Sequence, residues 1–290
     1  MRRNFLFLLV CFVFPAFAAE VKQGVASKNI QSVRFSSESL GEERAFNILL
    51  PADYESSSSR YPTLYLLHGY GDDQSAWSYM TNVSGYAAHH KFIIVMPDAS
   101  KSFYVNSAAD PKARFEDFIV KDLVAWIDAH YRTIPLPRAR AVAGLSMGGY
   151  GAAFLGLKHY RKFSALGSFS GAVSFAHGAP PTGGTAAEMA RRQSMQAMFG
   201  PPGSTERQER DPFALVEKVP ASEMPLIYIA CGGEDGLVKG NREFVQFLAE
   251  KKIPYEYREI SPRGHTWDFW DDQIRIFLDL LEKRPGFAQE

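Results

Sequence analysis

One serine stands in a setting that would make it a nucleophile. Ser146 lies in Gly144-Leu145-Ser146-Met147-Gly148, which fits the pattern G-x-S-x-G, after a short apolar run at 140–143 and before small and apolar residues at 149–155. That order predicts a strand, a sharp turn and a helix, the arrangement called a nucleophile elbow. The flanking glycines leave room for the strained turn and for the helix that crosses the strand. We therefore expect Ser146 to attack a carbonyl carbon.

A serine hydroxyl needs a general base, and the expected base is a histidine. In enzymes built on this elbow the chain order is serine, acid, histidine, so the base must follow Ser146. His159 lies on the helix that starts at the elbow, and His177 precedes the later strands. His265 lies in a loop between the strand predicted at 255–259 and the last helix. We therefore predict His265 as the base.

The acid that orients this histidine is expected after a later strand, because open α/β sheets place their sites at the carboxyl ends of strands. Asp235 lies in a glycine-rich loop that follows the strand predicted at 226–231. Glu234 is its rival in the same loop. Asp211 and Asp98 are more distant alternatives, whose positions better suit helix caps or loops. We predict Asp235 as the third member of a triad.

Acyl transfer also needs two backbone N–H groups that face the oxyanion, each worth about 3 kcal/mol. Met147, directly after the nucleophile, is expected to supply one of them. The second is expected from the loop after an early strand, where Gly69 and Gly71 flank Tyr70. We predict the Tyr70 N–H as this donor. His68 in the same loop is a candidate for contact with the substrate, with a structural role in the loop as the alternative.

The rest of the pattern predicts the elements that hold these residues. Strands at 33–38 and 46–50, separated by a turn at 41–43, are expected to pair antiparallel at a sheet edge. Short apolar runs then alternate with segments of helical period, which predicts a mostly parallel sheet flanked by helices. The predicted strands are 63–67, 92–96, 139–143, 165–169 and 226–231, and the predicted helices are 115–131, 241–250 and 269–281. We expect one α/β catalytic domain over residues 19–290.

Residues 174–211 interrupt this alternation. Proline and glycine pairs bracket a short helical piece at 186–199. Such an insertion is either a lid over the site or a surface segment without a role, and both interpretations stay open. Met195, Met198 and Phe199 favour the lid, because they would give it an apolar surface toward the substrate.

The N-terminus has the pattern of a secretory signal peptide over residues 1–18. Two arginines precede the apolar run 5–14, and Ala16 and Ala18 suit cleavage after residue 18. The apolar stretch is shorter than the roughly 20 residues that span a bilayer, so we expect no stable membrane anchor. A lipid anchor on Cys11 is a further alternative, disfavoured by the large residue before it. We expect an exported protein, periplasmic or extracellular.

The composition favours no particular class of binding partner. The 290 residues include 32 Lys and Arg against 32 Asp and Glu, so no net charge favours nucleic acid or an anionic membrane. The two cysteines form no metal-binding cluster, and the histidines show no H-x-x-x-H spacing. We therefore expect no metal and no cofactor. After cleavage Cys231 is the remaining cysteine, expected as a small buried core residue.

Five segments together resemble the esterase D-like branch of the α/β-hydrolases: LLHGYGDDQSAW, FIIVMPD, AGLSMGGYGA, CGGEDGLV and RGHTWDFW. That branch includes S-formylglutathione hydrolases, tributyrin-type esterases, feruloyl and acetyl-xylan esterases and the antigen 85 mycolyltransferases. The likeness extends from about residue 33 to residue 281. It implies an α/β-hydrolase fold and matches Ser146, Asp235 and His265 as the triad. It also matches Tyr70 and Met147 as the oxyanion donors.

The resemblance implies a serine esterase that forms an acyl-enzyme. A signal peptide disfavours the S-formylglutathione thioesterase alternative, whose known members are intracellular. An acyltransferase to a sugar hydroxyl is the other alternative, weakened because His68 stands where mycolyltransferases carry an acidic residue. What remains is a hydrolase of short acyl or feruloyl esters of carbohydrate. Trp77 and Trp267 are candidates for stacking on such substrates, with buried packing as the alternative.

Overall fold

The computed structural model describes residues 30–178 and 184–288, so the predicted signal peptide lies outside the described residues. Within this part of the chain, eight strands form one sheet in the order β1-β2-β4-β3-β5-β6-β7-β8. The strands are β1 (Ile30–Ser37), β2 (Glu42–Leu49), β3 (Thr63–Leu67), β4 (Ile93–Pro97), β5 (Arg140–Leu145), β6 (Ala165–Phe169), β7 (Leu226–Gly232) and β8 (Glu256–Ile260).

The sheet is antiparallel at one edge and parallel elsewhere. β1 pairs antiparallel with β2, and β2 with β4, whereas the strands from β4 through β3 to β8 run parallel. Every residue of β3, β4, β5 and β6 is buried, as continuous apolar strands covered on both faces must be. The predicted turn at 41–43 is corrected: the chain turns over residues 38–41, and β2 already begins at Glu42.

Helices cover both faces of the sheet. They are α1 (Ala76–Met80), α2 (Val83–Ala87), α3 (Phe115–Asp117), α4 (Val124–His130), α5 (Met147–Lys158), α6 (Ala186–Phe199), α7 (Thr205–Gln208), α8 (Pro212–Val216), α9 (Val238–Glu250) and α10 (Trp267–Glu282). Alternate residues of β3 enter different cores: Tyr65 and Leu67 pack with α4, α5 and α9, while Leu64 and Leu66 pack with α1, α2 and α10. The three-layer α/β-hydrolase fold expected from the sequence is confirmed.

The helix predicted at 115–131 is present but not regular. A π-helical stretch, Phe118–Leu123, joins α3 to α4, so the helix widens in its middle. Four of its six residues are buried. The wider turn changes which side chains face the sheet, and apolar spacing alone did not indicate it.

The insertion predicted at 174–211 contains α6, at the bounds predicted from the sequence. Thr185 and Glu188 form a capping box at its start. The buried Arg207 donates hydrogen bonds to the carbonyls of Phe175, Ala176 and Gly200, which lie on either side of α6. One arginine thus links the chain that precedes α6 to the residue that directly follows the helix.

No helix in residues 30–178 and 184–288 is long and apolar enough to cross a membrane. Cys231 is a free thiol, fully buried in the sheet, and burial raises its pKa to about 12. It is therefore a core residue, as expected.

Candidate active site

The turn between β5 and α5 holds Ser146 in a strained conformation. Its backbone has φ 53° and ψ −113°, a region that side-chain-bearing residues rarely adopt. Three backbone hydrogen bonds fix it there: its N–H donates to Phe169 O at 2.8 Å, and its carbonyl accepts from Tyr150 and Ala172. The surrounding structure therefore imposes the turn and points the serine side chain into a cavity.

The glycines of the motif are needed because backbones meet here. A Cβ on Gly148 would lie 2.4 Å from the carbonyl oxygen of Leu67 on β3. A Cβ on Gly144 would lie 2.6 Å from the carbonyl oxygen of Gly148 and 2.7 Å from that of Leu67. Both distances are far inside van der Waals contact. Only glycine lets α5 leave the sheet this closely against β3.

The structure brings Ser146, His265 and Asp235 into one hydrogen-bonded chain. His265 Nε2 lies 3.0 Å from Ser146 Oγ, and His265 Nδ1 lies 2.8 Å from Asp235 Oδ2. The Asp235 side chain is fully buried, whereas that of His265 is 37% exposed. The imidazole therefore lies between an enclosed carboxylate and a hydroxyl that faces the cavity. Such a chain can move a proton from the hydroxyl to the imidazole.

Hydrogen bonds keep Asp235 ionised despite its burial. Burial alone raises the pKa of a carboxyl group, but hydrogen bonds from His265, from Ser170 and from the Leu237 N–H outweigh it, so the pKa of Asp235 is lowered. Ser170 in turn accepts a hydrogen bond from Trp270 Nε1 at 3.1 Å. Trp270 also packs edge-on against the His265 ring, with 4.8 Å between centroids. The carboxylate and the imidazole are thus held by Ser170 and Trp270, neither of which lines the cavity.

The loop after β3 places Tyr70 beside Ser146. Three successive carbonyls before Tyr70 are bound: Leu67 O by Trp77 Nε1 at 2.9 Å, His68 O by the Tyr104 hydroxyl at 3.0 Å, and Gly69 O by His68 Nδ1 at 2.7 Å.

Tyr70 and Met147 line the same cavity as Ser146 and His265. Met147 opens α5, so its N–H precedes the amides that bond within the helix. Both residues predicted to supply oxyanion donors therefore line the cavity that contains Ser146.

The structure corrects the predicted substrate contacts of His68 and Trp77 in favour of the structural alternative. Each is only 1% exposed, and neither is among the residues that line the cavity. Their ring nitrogens bond to backbone instead, so both hold the loop in place. Trp267 is half-buried between Trp77 and Trp270, at centroid distances of 5.6 and 5.2 Å, and it does not line the cavity either.

His68 is held as a neutral imidazole. Its Nε2 accepts the Ala99 N–H at 3.0 Å, so its Nδ1 carries the hydrogen that is donated to Gly69. Burial lowers its pKa, and this outweighs the opposing effects of the Gly69 hydrogen bond and of Asp98, whose Oδ1 lies 3.8 Å away. A second proton would remove the acceptor that Ala99 needs. The loop therefore depends on an uncharged His68.

The cavity above Ser146 has a volume of about 910 Å³. The loops of the sheet supply part of its lining, and α6 closes another side with Ala190, Arg191, Ser194 and Met195. The insertion therefore reaches the site. Of the apolar residues that favoured a lid, Met195 lines the cavity, whereas the buried Phe199 packs into the core.

The lining residues that were not predicted from the sequence include Phe103, Phe175 and Arg191. Phe103 has a left-handed backbone with φ 52°, and a φ of 60° follows at Tyr104, so these two residues form an unusual turn at the cavity wall. An aromatic residue in such a turn cannot be recognised from hydropathy. Phe175 and Arg191 come from the insertion, whose position over the sheet the sequence left open.

The rival residues lie in other clusters. His159 pairs with Glu116 at 2.8 Å, and His177 pairs with Asp211 at 2.8 Å, where Asp211 also caps α8. Glu234 is not among the residues that line the cavity. Among the residues that the structure describes, no group of three or more histidine, cysteine or acidic side chains is placed to hold a metal ion.

Comparisons with known proteins identify the family of this chain. Residues 37–277 match the family described as "Putative esterase". An acetyl esterase from Caldicellulosiruptor saccharolyticus is 28% identical over 266 residues, which cover 88% of this chain and 98% of the relative. Esterase Rv1288 from Mycobacterium tuberculosis is 32% identical over 275 residues, 87% of this chain but 58% of that longer relative.

The fold has solved counterparts. The fluorophosphonate-binding serine hydrolase FphF from Staphylococcus aureus superposes with a TM-score of 0.74 at 24% identity, covering 87% of this chain and 97% of its own. At that identity the likeness shows the fold, and the family match shows the membership. The chain therefore belongs to this esterase family of α/β-hydrolases, and its activity class is that of a carboxylic ester hydrolase.

Proposed function

We propose that this protein is an exported serine esterase that cleaves short acyl or feruloyl esters of carbohydrate through an acyl-enzyme. The observation that carries the proposal is the hydrogen-bonded chain from Ser146 Oγ through His265 to the buried Asp235. Ser146 and His265 line the cavity. The arginines and apolar run at the N-terminus support export. The acetyl esterase relative supports a short acyl group.

In the first half of the reaction, His265 Nε2 takes the Ser146 proton and the serine oxygen attacks the ester carbonyl. The negative charge that develops on the carbonyl oxygen is met by the N–H groups of Met147 and Tyr70. Asp235 keeps the Nδ1 hydrogen of His265 in place and stabilises the imidazolium. The imidazolium then protonates the departing alcohol, which leaves an acyl group on Ser146.

In the second half, water replaces the alcohol. His265 takes a proton from this water, the hydroxide attacks the acyl carbon, and Ser146 leaves with the proton returned by His265. The atoms balance as ester plus water to acid plus alcohol. A sugar hydroxyl that enters instead of water would give transfer, so the acceptor decides between the two outcomes.

The test is hydrolysis by residues 19–290 of p-nitrophenyl acetate, butyrate and octanoate, of methyl ferulate and of acetylated xylan. We expect ferulate or xylan to exceed the simple esters in kcat/KM. Ser146→Ala should abolish turnover of all of them, while Ser78→Ala, which removes a hydroxyl outside the cavity, should keep it. Turnover that persists in Ser146→Ala would refute the mechanism.

Two additions to the assay separate the alternatives. Product analysis in the presence of a free sugar measures how much acyl group goes to sugar rather than water, and a predominance of acyl sugar would identify a transferase. S-formylglutathione in the same panel tests the thioesterase. A preference for it over every oxygen ester would replace the proposed substrate class.

A further inference from the structure

Three aromatic rings follow one another along the cavity wall. The Tyr70 and Phe103 centroids are 5.9 Å apart, and those of Phe103 and Phe175 are 5.8 Å apart. All three residues line the cavity that contains Ser146. The row therefore forms a continuous apolar surface that starts beside the predicted oxyanion loop and ends under α6.

A cation lies at each end of this row. The Lys101 ammonium is 5.2 Å from the Tyr70 centroid, and the Arg191 guanidinium is 5.2 Å from the Phe175 centroid. Arg191 belongs to α6 and lines the cavity itself. Contact with the ring face restrains the planar guanidinium without using its N–H donors. These donors are available to a ligand.

The charge of Arg191 is not balanced inside the cavity. Among the described lining residues the one carboxylate is Asp235, which is fully buried and bonded to His265. Within the described part of the chain Arg191 forms no ion pair, and its guanidinium lies over the Phe175 ring. Arg191 is exposed at the cavity wall, where the apolar rings on one side strengthen its attraction to an anion relative to bulk water.

We propose that Arg191 binds a carboxylate carried by the ester substrate, so that the enzyme prefers anionic esters to neutral esters of the same size. This inference rests on the proposed function, since it assumes that esters are cleaved at Ser146. A guanidinium pairs with a carboxylate through two parallel N–H···O bonds, which gives both affinity and orientation. The carboxylate lies either on the acyl part or on the alcohol part of the ester, and the experiment has an arm for each.

Two matched substrate pairs isolate the charge. The first is 4-acetoxybenzoate against its methyl ester, which places the carboxylate on the alcohol part. The second is the mono-p-nitrophenyl ester of adipic acid against its methyl ester, which places the carboxylate on the acyl part. For each pair the measured quantity is the ratio of kcat/KM for the anionic substrate to that for the neutral one.

The variants are Arg191→Gln, Arg191→Lys and Arg192→Gln. Arg192→Gln is the matched control, because it removes the same charge from the neighbouring position of α6, which does not line the cavity. We expect Arg191→Gln to lower the ratio for one pair by about tenfold, mainly through KM, the size of a lost charge-assisted hydrogen bond. Arg191→Lys should fall between, and Arg192→Gln should leave the ratio near the native value.

The inference is overturned if Arg191→Gln leaves both ratios unchanged, or if Arg192→Gln lowers them as much, which would indicate a general field and no specific contact. Neutral-ester turnover, which each ratio contains, reports that the variants are folded. Suppose that Ser146 is needed to cleave neutral esters, but the ratio of kcat/KM for anionic to neutral substrate does not depend on Arg191. That result refutes this inference and keeps the proposed function. Absence of any Ser146-dependent cleavage refutes both.

Discussion

The base of the site and the helix above it are built in opposite ways. In the base, Ser146 is fixed by three backbone hydrogen bonds, and the Asp235 side chain is fully buried. In α6, Phe199 is the buried residue, and the residues that face the cavity are largely exposed. The base is fixed by the core, whereas α6 is attached mainly at its C-terminal end, through the buried Phe199 and the bond from Arg207 to Gly200 O.

This difference matches what the two regions have to do. Proton transfer and attack tolerate little displacement, since a shift of about 1 Å from the productive geometry can cost about 100-fold in rate. Substrate selection depends instead on which side chains face the cavity. An exposed helix can change those side chains without disturbing the sheet. Changes in the base should therefore act on kcat and folding, and changes in α6 on substrate preference.

The largest effect is expected at the acid. Asp235→Asn removes the charge that stabilises the imidazolium and favours the wrong tautomer of His265, so kcat should fall by about 10⁴-fold. Kinetics with p-nitrophenyl acetate measure kcat, and thermal unfolding checks that the variant is folded. Asp211→Asn is the control, since Asp211 pairs with His177 and caps α8. An equal loss of kcat in both variants would contradict the assignment of Asp235.

A strong effect on folding is expected at the elbow. Gly148→Ala forces a Cβ to within 2.4 Å of the Leu67 carbonyl oxygen, a contact that neither backbone can relieve without shifting β3 or α5. We expect a loss of about 1–3 kcal/mol in unfolding free energy, measured by urea denaturation. Gly264→Ala is the matched substitution, because nothing lies within 4 Å of its Cβ. Equal stability of the two variants would show that the elbow is less tightly packed than described.

A local effect is expected at the base of the insertion. Arg207→Met leaves the carbonyls of Phe175, Ala176 and Gly200 without their donor, at a cost of about 1–3 kcal/mol for each buried group left unpaired. Amide hydrogen exchange should become faster in α6 while that of β5 stays slow. Arg161→Met, which removes an exposed partner of Glu223, should leave α6 unchanged. Uniformly faster exchange in both elements would mean that the insertion does not open separately.

The smallest effect is expected from pH. Because the folded protein lowers the pKa of His68, the unfolded chain binds its proton first as the pH falls. The stability that neutral His68 contributes is therefore complete above its ordinary pKa of about 6.5 and is lost as the pH falls through the lower folded value. Urea denaturation at pH 7.5 and 5.5 should show this loss.

The control for the pH effect is His68→Asn, whose amide can donate to Gly69 but does not titrate. Its stability should change less between the two pH values than that of the native protein. Identical changes would show that another group causes the dependence.

The same contrast explains what the sequence could predict. Strands β3 and β6 and helix α6 have the predicted bounds, because continuous apolar runs and capping residues are local signals. Ser146, Asp235 and His265 could be predicted as neighbours because the chain order of such sites follows strand ends, and the structure joins them by hydrogen bonds. For His68 and Trp77 the sequence left substrate contact and a structural role open, because a polar ring that bonds to buried backbone has the same sequence signal as one that faces a ligand. Whether Arg191 lines the cavity depends on where α6 lies over the sheet, and no local sequence pattern determines that position.

The hydrogen bonds from Arg207 affect how this protein can evolve. One buried side chain binds carbonyls before and after α6, so the segment from Ala176 to Gly200 is a loop closed at its base. Adding or removing residues in such a closed segment costs little, because the entropy of closing a loop grows slowly with its length. Insertions of different length and composition can therefore be exchanged above an unchanged β5–α5 turn, and a new substrate range can arise without a new fold.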